Sequence, residues 1–84
     1  MKDVRYSKDA EKSLRRMPSN TAALIRSKIT QYAENPETLT NNVKALQGAG
    51  LYFRLRVGDW RVVFSEDAVV VAIIRIAPRG GAYD

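Results

Sequence analysis

Five side chains in the second half of the sequence could handle a phosphate and its protons: Arg54, Arg56, Arg61, Arg79 and Tyr83. A guanidinium presents a fixed fork of N–H donors that matches phosphate oxygens. It keeps its proton near neutral pH, so it stabilises developing charge rather than shuttling protons. A phenol ionises near pH 10, and neighbouring guanidinium charges pull that value down, which makes a tyrosinate base more accessible. Histidine and cysteine are both absent. That removes the imidazole base, the thiolate nucleophile, Ser-His and Cys-His pairs and thiolate metal sites. The nine carboxylates show no metal-ligand spacing, and no Gly-rich loop follows a strand and opens a helix. A metal nuclease is not expected, and the expected cofactor is none.

The elements that must position these groups follow from alternation. Residues 51–57 read Leu-Tyr-Phe-Arg-Leu-Arg-Val, apolar and polar in turn; Gly58-Asp59 is a two-residue turn signal; and residues 60–64, Trp-Arg-Val-Val-Phe, alternate again. This predicts a β-hairpin with Val57 facing Trp60 and Arg56 facing Arg61. Side chains two apart share a face, so Arg54 joins them, and Tyr52 falls on the same face opposite Ser65. Like charges directly opposite each other destabilise a sheet. A face that carries this cost is expected to bind an anion.

Other positions admit two readings. Tyr52 is either a half-buried sheet tyrosine or a platform for stacking an RNA base beside the arginines. Arg79 and Tyr83 follow the last strand, and Gly80-Gly81 lets the chain turn sharply. They are a frayed end or a compact donor and proton-transfer set folded over the sheet. Lys8, Lys12, Arg15 and Arg16 on the first helix are a solvated face or a weak contact with ribosomal or other nucleic acid. Arg75 interrupts an apolar strand and reads as a rim arginine stacked on an aromatic near Trp60.

Upstream, Lys2–Tyr6 reads as a short strand. Ser7 is placed to cap a helix with Asp9 and Glu11 in its first turn. Ala10, Leu14 and Met17 form its apolar stripe, and Pro18 stops it. Ser19, Asn20 or Thr21 can cap a second helix with Ala22, Ile25, Ile29 and Tyr32 on one side, ended at Asn35-Pro36. Residues 36–50 are polar and turn-rich, with Leu39, Val43 and Leu46 as anchors. Residues 69–76 are apolar on both faces, as in a central strand covered on both sides. The order β-α-α-β-β-β predicts an α+β fold: two N-terminal helices packed on a mainly antiparallel four-stranded sheet. The helices cover Phe53, Leu55, Val62 and Phe64, and the arginines look the other way.

With 84 residues, a single domain spanning 1–84 is expected. An apolar fraction of 45% suffices for a core and argues against disorder. The net charge of +5 favours nucleic acid, an acidic protein or an anionic membrane as partner. No stretch approaches the roughly 18 apolar residues of a membrane span, and the N-terminus lacks an apolar signal region. A cytoplasmic location without membrane contact is the expectation.

Three stretches together resemble the RelE branch of the RelE/ParE toxin superfamily. They are Asp-Ala-Glu-Lys-Ser-Leu-Arg-Arg-Met-Pro at 9–18, Leu-Tyr-Phe-Arg-Leu-Arg-Val-Gly-Asp-Trp-Arg-Val-Val-Phe at 51–64, and Ile-Ala-Pro-Arg-Gly-Gly-Ala-Tyr at 76–83. The middle stretch, with Arg-Leu-Arg-Val-Gly-Asp-aromatic-Arg, is the most specific. The resemblance spans nearly the whole chain. It implies a type II toxin that enters the ribosomal A site and cleaves mRNA without metal, the RNA 2′-hydroxyl attacking the adjacent phosphate. It also implies a cognate antitoxin that wraps and blocks the toxin and couples it to operator DNA. By this resemblance Arg61, Arg79 and Tyr83 match catalytic positions, Arg56 matches a frequent basic position, and Arg54 stands where many members carry lysine. The roles that follow are Tyr83 as base at the 2′-hydroxyl, Arg61 as phosphate clamp and Arg79 at the leaving 5′-oxygen, with Arg54 and Arg56 holding the backbone. The alternatives are a ParE-like DNA gyrase inhibitor that cleaves no RNA, and an inactive basic module that only binds an antitoxin.

Overall fold

The computed structural model describes residues 1–46 and 52–80. Tyr83 and Gly81 lie outside the described residues.

Chain order is β1 (Asp3–Tyr6), α1 (Lys8–Arg16), α2 (Ser19–Glu34), a 3₁₀ helix (Pro36–Asn42), β2 (Val43–Ala45), β3 (Tyr52–Val57), β4 (Trp60–Glu66) and β5 (Val70–Pro78). The class is α+β, but the sheet has five strands, in spatial order β1-β5-β4-β3-β2, where the sequence predicts four. The additional strand β2 spans three residues inside the polar, turn-rich segment, too few for alternation to register. It pairs antiparallel with β3, Val43 facing Leu55 and Lys44 facing Arg54. β1 pairs parallel with β5 and every other neighbouring pair is antiparallel.

Ser7 caps α1: its hydroxyl oxygen accepts from the Ala10 N–H at 3.0 Å and its O–H donates to the Ile74 carbonyl at 2.6 Å. One side chain thus starts the helix and ties it to β5. None of the predicted caps of α2 serves it. The helix begins at Ser19 itself, because Met17 and Pro18 are both extended and the Pro18 carbonyl accepts from the Ala22 N–H.

Both apolar stripes land where periodicity put them. Ala10, Leu14, Met17, Ile25, Ile29 and Tyr32 are buried against Leu55, Val57, Val62, Phe64, Val71, Ile73 and Ile76 of the sheet. Phe64 sits at the centre, its ring 4.9 Å from that of Tyr32 and 5.5 Å from that of Phe53. Leu39 is buried and Val43 packs against the same cluster. At the rim, Glu66 accepts from the Tyr32 hydroxyl at 2.5 Å and from Lys2 Nζ at 2.8 Å. The pair joins the N-terminal segment, α2 and β4.

The expectation that β5 is covered on both faces does not hold as stated. The helices cover one face, and Ile74 is 39% exposed. Its exposure has a local cause. Val63 faces Arg75 while Phe64 faces Ile73, so Ile74 is the extra residue of a β-bulge.

Candidate functional site: the outer face of the sheet

The hairpin turn sets the geometry. Gly58 takes φ +57° while Asp59 keeps a negative φ, so glycine fills the first central position, as a II′ turn requires. The resulting register faces Val57 with Trp60, Arg56 with Arg61 and Tyr52 with Ser65. Arg54, Arg56 and Arg61 therefore share the face turned away from the helices, as the alternation predicts.

Pairing beyond the hairpin enlarges the basic surface. Across β2, β3, β4 and β5 runs a row of Lys44, Arg54, Val63 and Arg75. Toward the turn lies the row Arg56, Arg61 and Ala77. Away from it lies the row Tyr52, Ser65, Ala72 and Arg5. Six cations thus occupy one sheet face, and Asp3, next to Val70, carries a carboxylate only at its far end.

Sequence reasoning missed three of these six. Arg5 was readable as the outward member of a strand whose Val4 and Tyr6 face in, but its neighbours depend on a parallel pairing that alternation does not encode. Lys44 sits on the three-residue strand. Arg75 is placed by the bulge: in an unbroken strand it would share the inward face of Ile73, and the extra residue Ile74 turns it outward beside Val63. Arg75 also lines a groove with Trp60, Met17, Pro78, Arg16 and Asp9 along β5 beyond the end of β1.

Arg61 differs from its neighbours. It is 8% exposed, and its Nη1 donates to the carbonyls of Gly58 at 3.0 Å and Trp60 at 3.1 Å. Part of the fork is committed to the turn, which fixes where the guanidinium sits. Arg79 reaches the same turn through its backbone, its N–H donating to the Asp59 carbonyl at 2.6 Å. The side chain of Arg79 is exposed, and Gly80 at φ +84° bends the chain immediately after it. Arg56, Lys44 and Arg5 are exposed and have no carboxylate partner among the described residues.

The α1 cations are not part of this surface. Lys8, Lys12, Arg15 and Arg16 are exposed on the helix layer, behind the sheet, and Arg15 lies 3.8 Å from Glu11. Arg16 lines the same groove as Arg75. Among the described residues no group of three or more His, Cys, Asp or Glu is placed to hold a metal, and no helix is long and apolar enough to cross a membrane.

The surface can grip phosphates through several guanidinium groups, one of them rigidly held, beside an exposed tyrosine ring. Residues 4–83 match the family model described as ParE toxin of type II toxin–antitoxin system, parDE. A chain of the archaeal RelE–RelB complex from Pyrococcus horikoshii OT3 is 27% identical, with a TM-score of 0.79 over 96% of this chain and 98% of that one. The isolated RelE toxin of E. coli is 19% identical, with a TM-score of 0.77 over 98% and 88%. YafQ from E. coli strain BL21(DE3) is 16% identical, with a TM-score of 0.72 over 100% of both chains. The last two likenesses concern the fold alone. Comparison with curated proteins found no match.

Proposed function

This chain belongs to the ParE toxin family of type II toxin–antitoxin systems, and we propose that it acts as a ribosome-dependent mRNA endonuclease that a cognate antitoxin holds inactive. The observation that carries this reading is the opposed pair Arg56 and Arg61, on a face shared with Arg5, Lys44, Arg54 and Arg75. Gathering like charges costs stability, and a polyanionic backbone is the ligand that repays it. Structures similar in fold include RelE proteins, one of them complexed with RelB, which supports an antitoxin partner here. Operator DNA is then reached through that partner, and the site of action is the cytoplasm.

Cleavage needs no group that the chain lacks. The RNA 2′-hydroxyl loses its proton to a base and its oxygen attacks the adjacent phosphorus. The bond to the 5′-oxygen breaks, and that oxygen takes up a proton. The products are a 2′,3′-cyclic phosphate and a 5′-hydroxyl. In this reading Tyr83 is the base, Arg61 steadies the charge on phosphorus, Arg79 faces the leaving oxygen, and Arg54 and Arg56 hold the backbone. A rigidly placed donor suits the Arg61 role, because it requires no reorganisation as charge develops.

The test is Arg61→Ala in a reconstituted translation reaction with end-mapped mRNA. Removing one such donor lowers the cleavage rate by about 10²–10³. Undiminished cleavage by the folded variant overturns the assignment. The matched family carries the ParE name, and the ParE-like alternative is inhibition of DNA gyrase. Expression in cells separates the two: translation arrest supports the nuclease, and DNA damage with filamentation supports gyrase poisoning. A folded chain that binds its antitoxin and does neither is a binding module alone.

A further inference from the structure

We propose that the row Tyr52, Ser65, Ala72 and Arg5 is a subsite for one unpaired nucleotide, beside the position where Arg54, Arg56 and Arg61 hold phosphate. The proposal rests on the nucleic-acid reading of this face and adds to it a place, a size and a preference for single strands. Tyr52 faces Ser65, Ser65 faces Ala72, and Ala72 lies next to Arg5, so four strands bring these residues into one line on one face. With strands about 4.8 Å apart, the line is about 14 Å long. Its two central side chains are small and half-buried. Its two ends are long, flat-tipped and exposed, Tyr52 to 39%. The result is a shallow trough between a phenol ring and a guanidinium.

Both ends are groups on which bases stack. In the floor, the Ser65 hydroxyl can donate to or accept from a base edge or a ribose hydroxyl. Among the described residues neither this hydroxyl, nor the Tyr52 hydroxyl, nor the Arg5 guanidinium has a hydrogen bond or ion pair. Among the described residues the Tyr52 ring makes no ring contact: the core aromatics Tyr32, Phe53 and Phe64 cluster on the opposite face. The trough is bounded by charge. On one side is the row of Lys44, Arg54 and Arg75, and on the other is Asp3 beside Val70, which repels phosphate. A nucleic acid strand entering from the hairpin end therefore meets its last favourable contact at Arg5. A duplex cannot offer an unstacked base to this trough, so the preference for single strands follows from its shape.

The experiment measures binding of a fluorescein-labelled RNA hexamer with 2′-O-methyl sugars at every position, which prevents cleavage. It compares the unsubstituted chain, Tyr52→Ala, Tyr52→Phe, Arg5→Ala and Arg56→Ala, with a hairpin duplex of the same composition as second ligand. Tyr52→Ala is expected to weaken hexamer binding about ten-fold or more and Tyr52→Phe to restore it, with duplex binding unchanged. Arg5→Ala is expected to weaken hexamer binding and to reduce the slope of log K against log salt by about 0.7. If Tyr52→Ala and Arg5→Ala bind the hexamer within two-fold of the unsubstituted chain while Arg56→Ala binds it weakly, the subsite is refuted and the basic face survives. If Arg56→Ala also binds normally, or the unsubstituted chain shows no saturable binding, the reading of the whole face falls. Equal loss for hexamer and duplex refutes stacking on an unpaired base.

Discussion

Arg61 and Arg79 are tied to three consecutive carbonyls of one turn. Arg61 Nη1 takes those of Gly58 and Trp60, and the Arg79 N–H takes that of Asp59. Two residues 18 apart in sequence are thereby held against the same backbone corner. The turn is part of the candidate site as well as the link between β3 and β4.

The first prediction concerns that corner. A Cβ on Gly58 would meet nothing within 4 Å, so the cost of Gly58→Ala is purely conformational, set by φ +57°. The expected loss is about 1–2 kcal/mol, read as a lower urea midpoint with an unchanged m-value. Cleavage per folded molecule should fall as well, because the substitution shifts a carbonyl that orients Arg61. A stability loss with full activity would show that the turn only connects the strands.

A second prediction weighs function against fold at Arg56. The Arg61 guanidinium is anchored to the turn and cannot swing away from Arg56, so relief has to come from Arg56 itself. Arg56→Thr removes the repulsion and adds a β-branched residue to a strand. The expected gain is about 0.5 kcal/mol, a rise in Tm of about 2–4 °C, with weaker RNA binding. A variant less stable than the parent would mean that the opposed pair carries no penalty.

The hairpin was legible because its register depends on local signals alone: alternation on both sides of a Gly-Asp turn leaves one pairing that puts Phe53, Leu55, Val62 and Phe64 inside. The helices were legible for the same reason, through Leu14, Ile25 and Ile29. What could not be read depends on contacts distant in sequence. The bulge at Ile74 shifts the phase of β5 and decides that Arg75 faces outward, yet residues 69–76 are so uniformly apolar that no phase stands out. The parallel pairing that sets Arg5 beside Ala72 joins segments 67 residues apart. The strand carrying Lys44 is shorter than one full period of alternation on each face. Half of the basic surface was hidden in this way.

The third prediction is a pH dependence. Burial, and next the Glu66 carboxylate that accepts from its hydroxyl, push the Tyr32 phenol well above its ordinary value. Burial also raises Tyr6, against the opposing influence of Arg26. Below pH 10 these phenols are protonated in both folded and unfolded chains, and their contribution is fully present. Above pH 10 the unfolded chain sheds protons that the folded chain retains, so stability falls as pH rises from 10 toward the folded values. Urea titrations at pH 8, 10 and 11 should show the decline. Tyr32→Phe should reduce its slope and leave the part due to Tyr6. At neutral pH the same substitution loses one hydrogen bond to a charged acceptor, about 1.5–3 kcal/mol. A slope unchanged by Tyr32→Phe would mean that the phenol titrates alike in both states.

The last prediction separates charge from geometry at Arg61. Arg61→Lys keeps the positive charge and most of the aliphatic stem, which suits a side chain only 8% exposed. A lysine offers three donors on a single rotating nitrogen, whereas the guanidinium spreads five donors over a rigid plane. The arginine satisfies both the Gly58 and the Trp60 carbonyl through Nη1 alone. An ammonium that binds those carbonyls has little left for a phosphate, and one that turns to the phosphate abandons the turn. If charge alone mattered, Arg61→Lys would cleave like the parent. If the fork matters, cleavage falls nearly as far as in Arg61→Ala, by about 10², while the urea midpoint stays closer to the parent than that of Arg61→Ala. Single-turnover cleavage on programmed ribosomes, paired with denaturation of the same preparations, distinguishes the two outcomes.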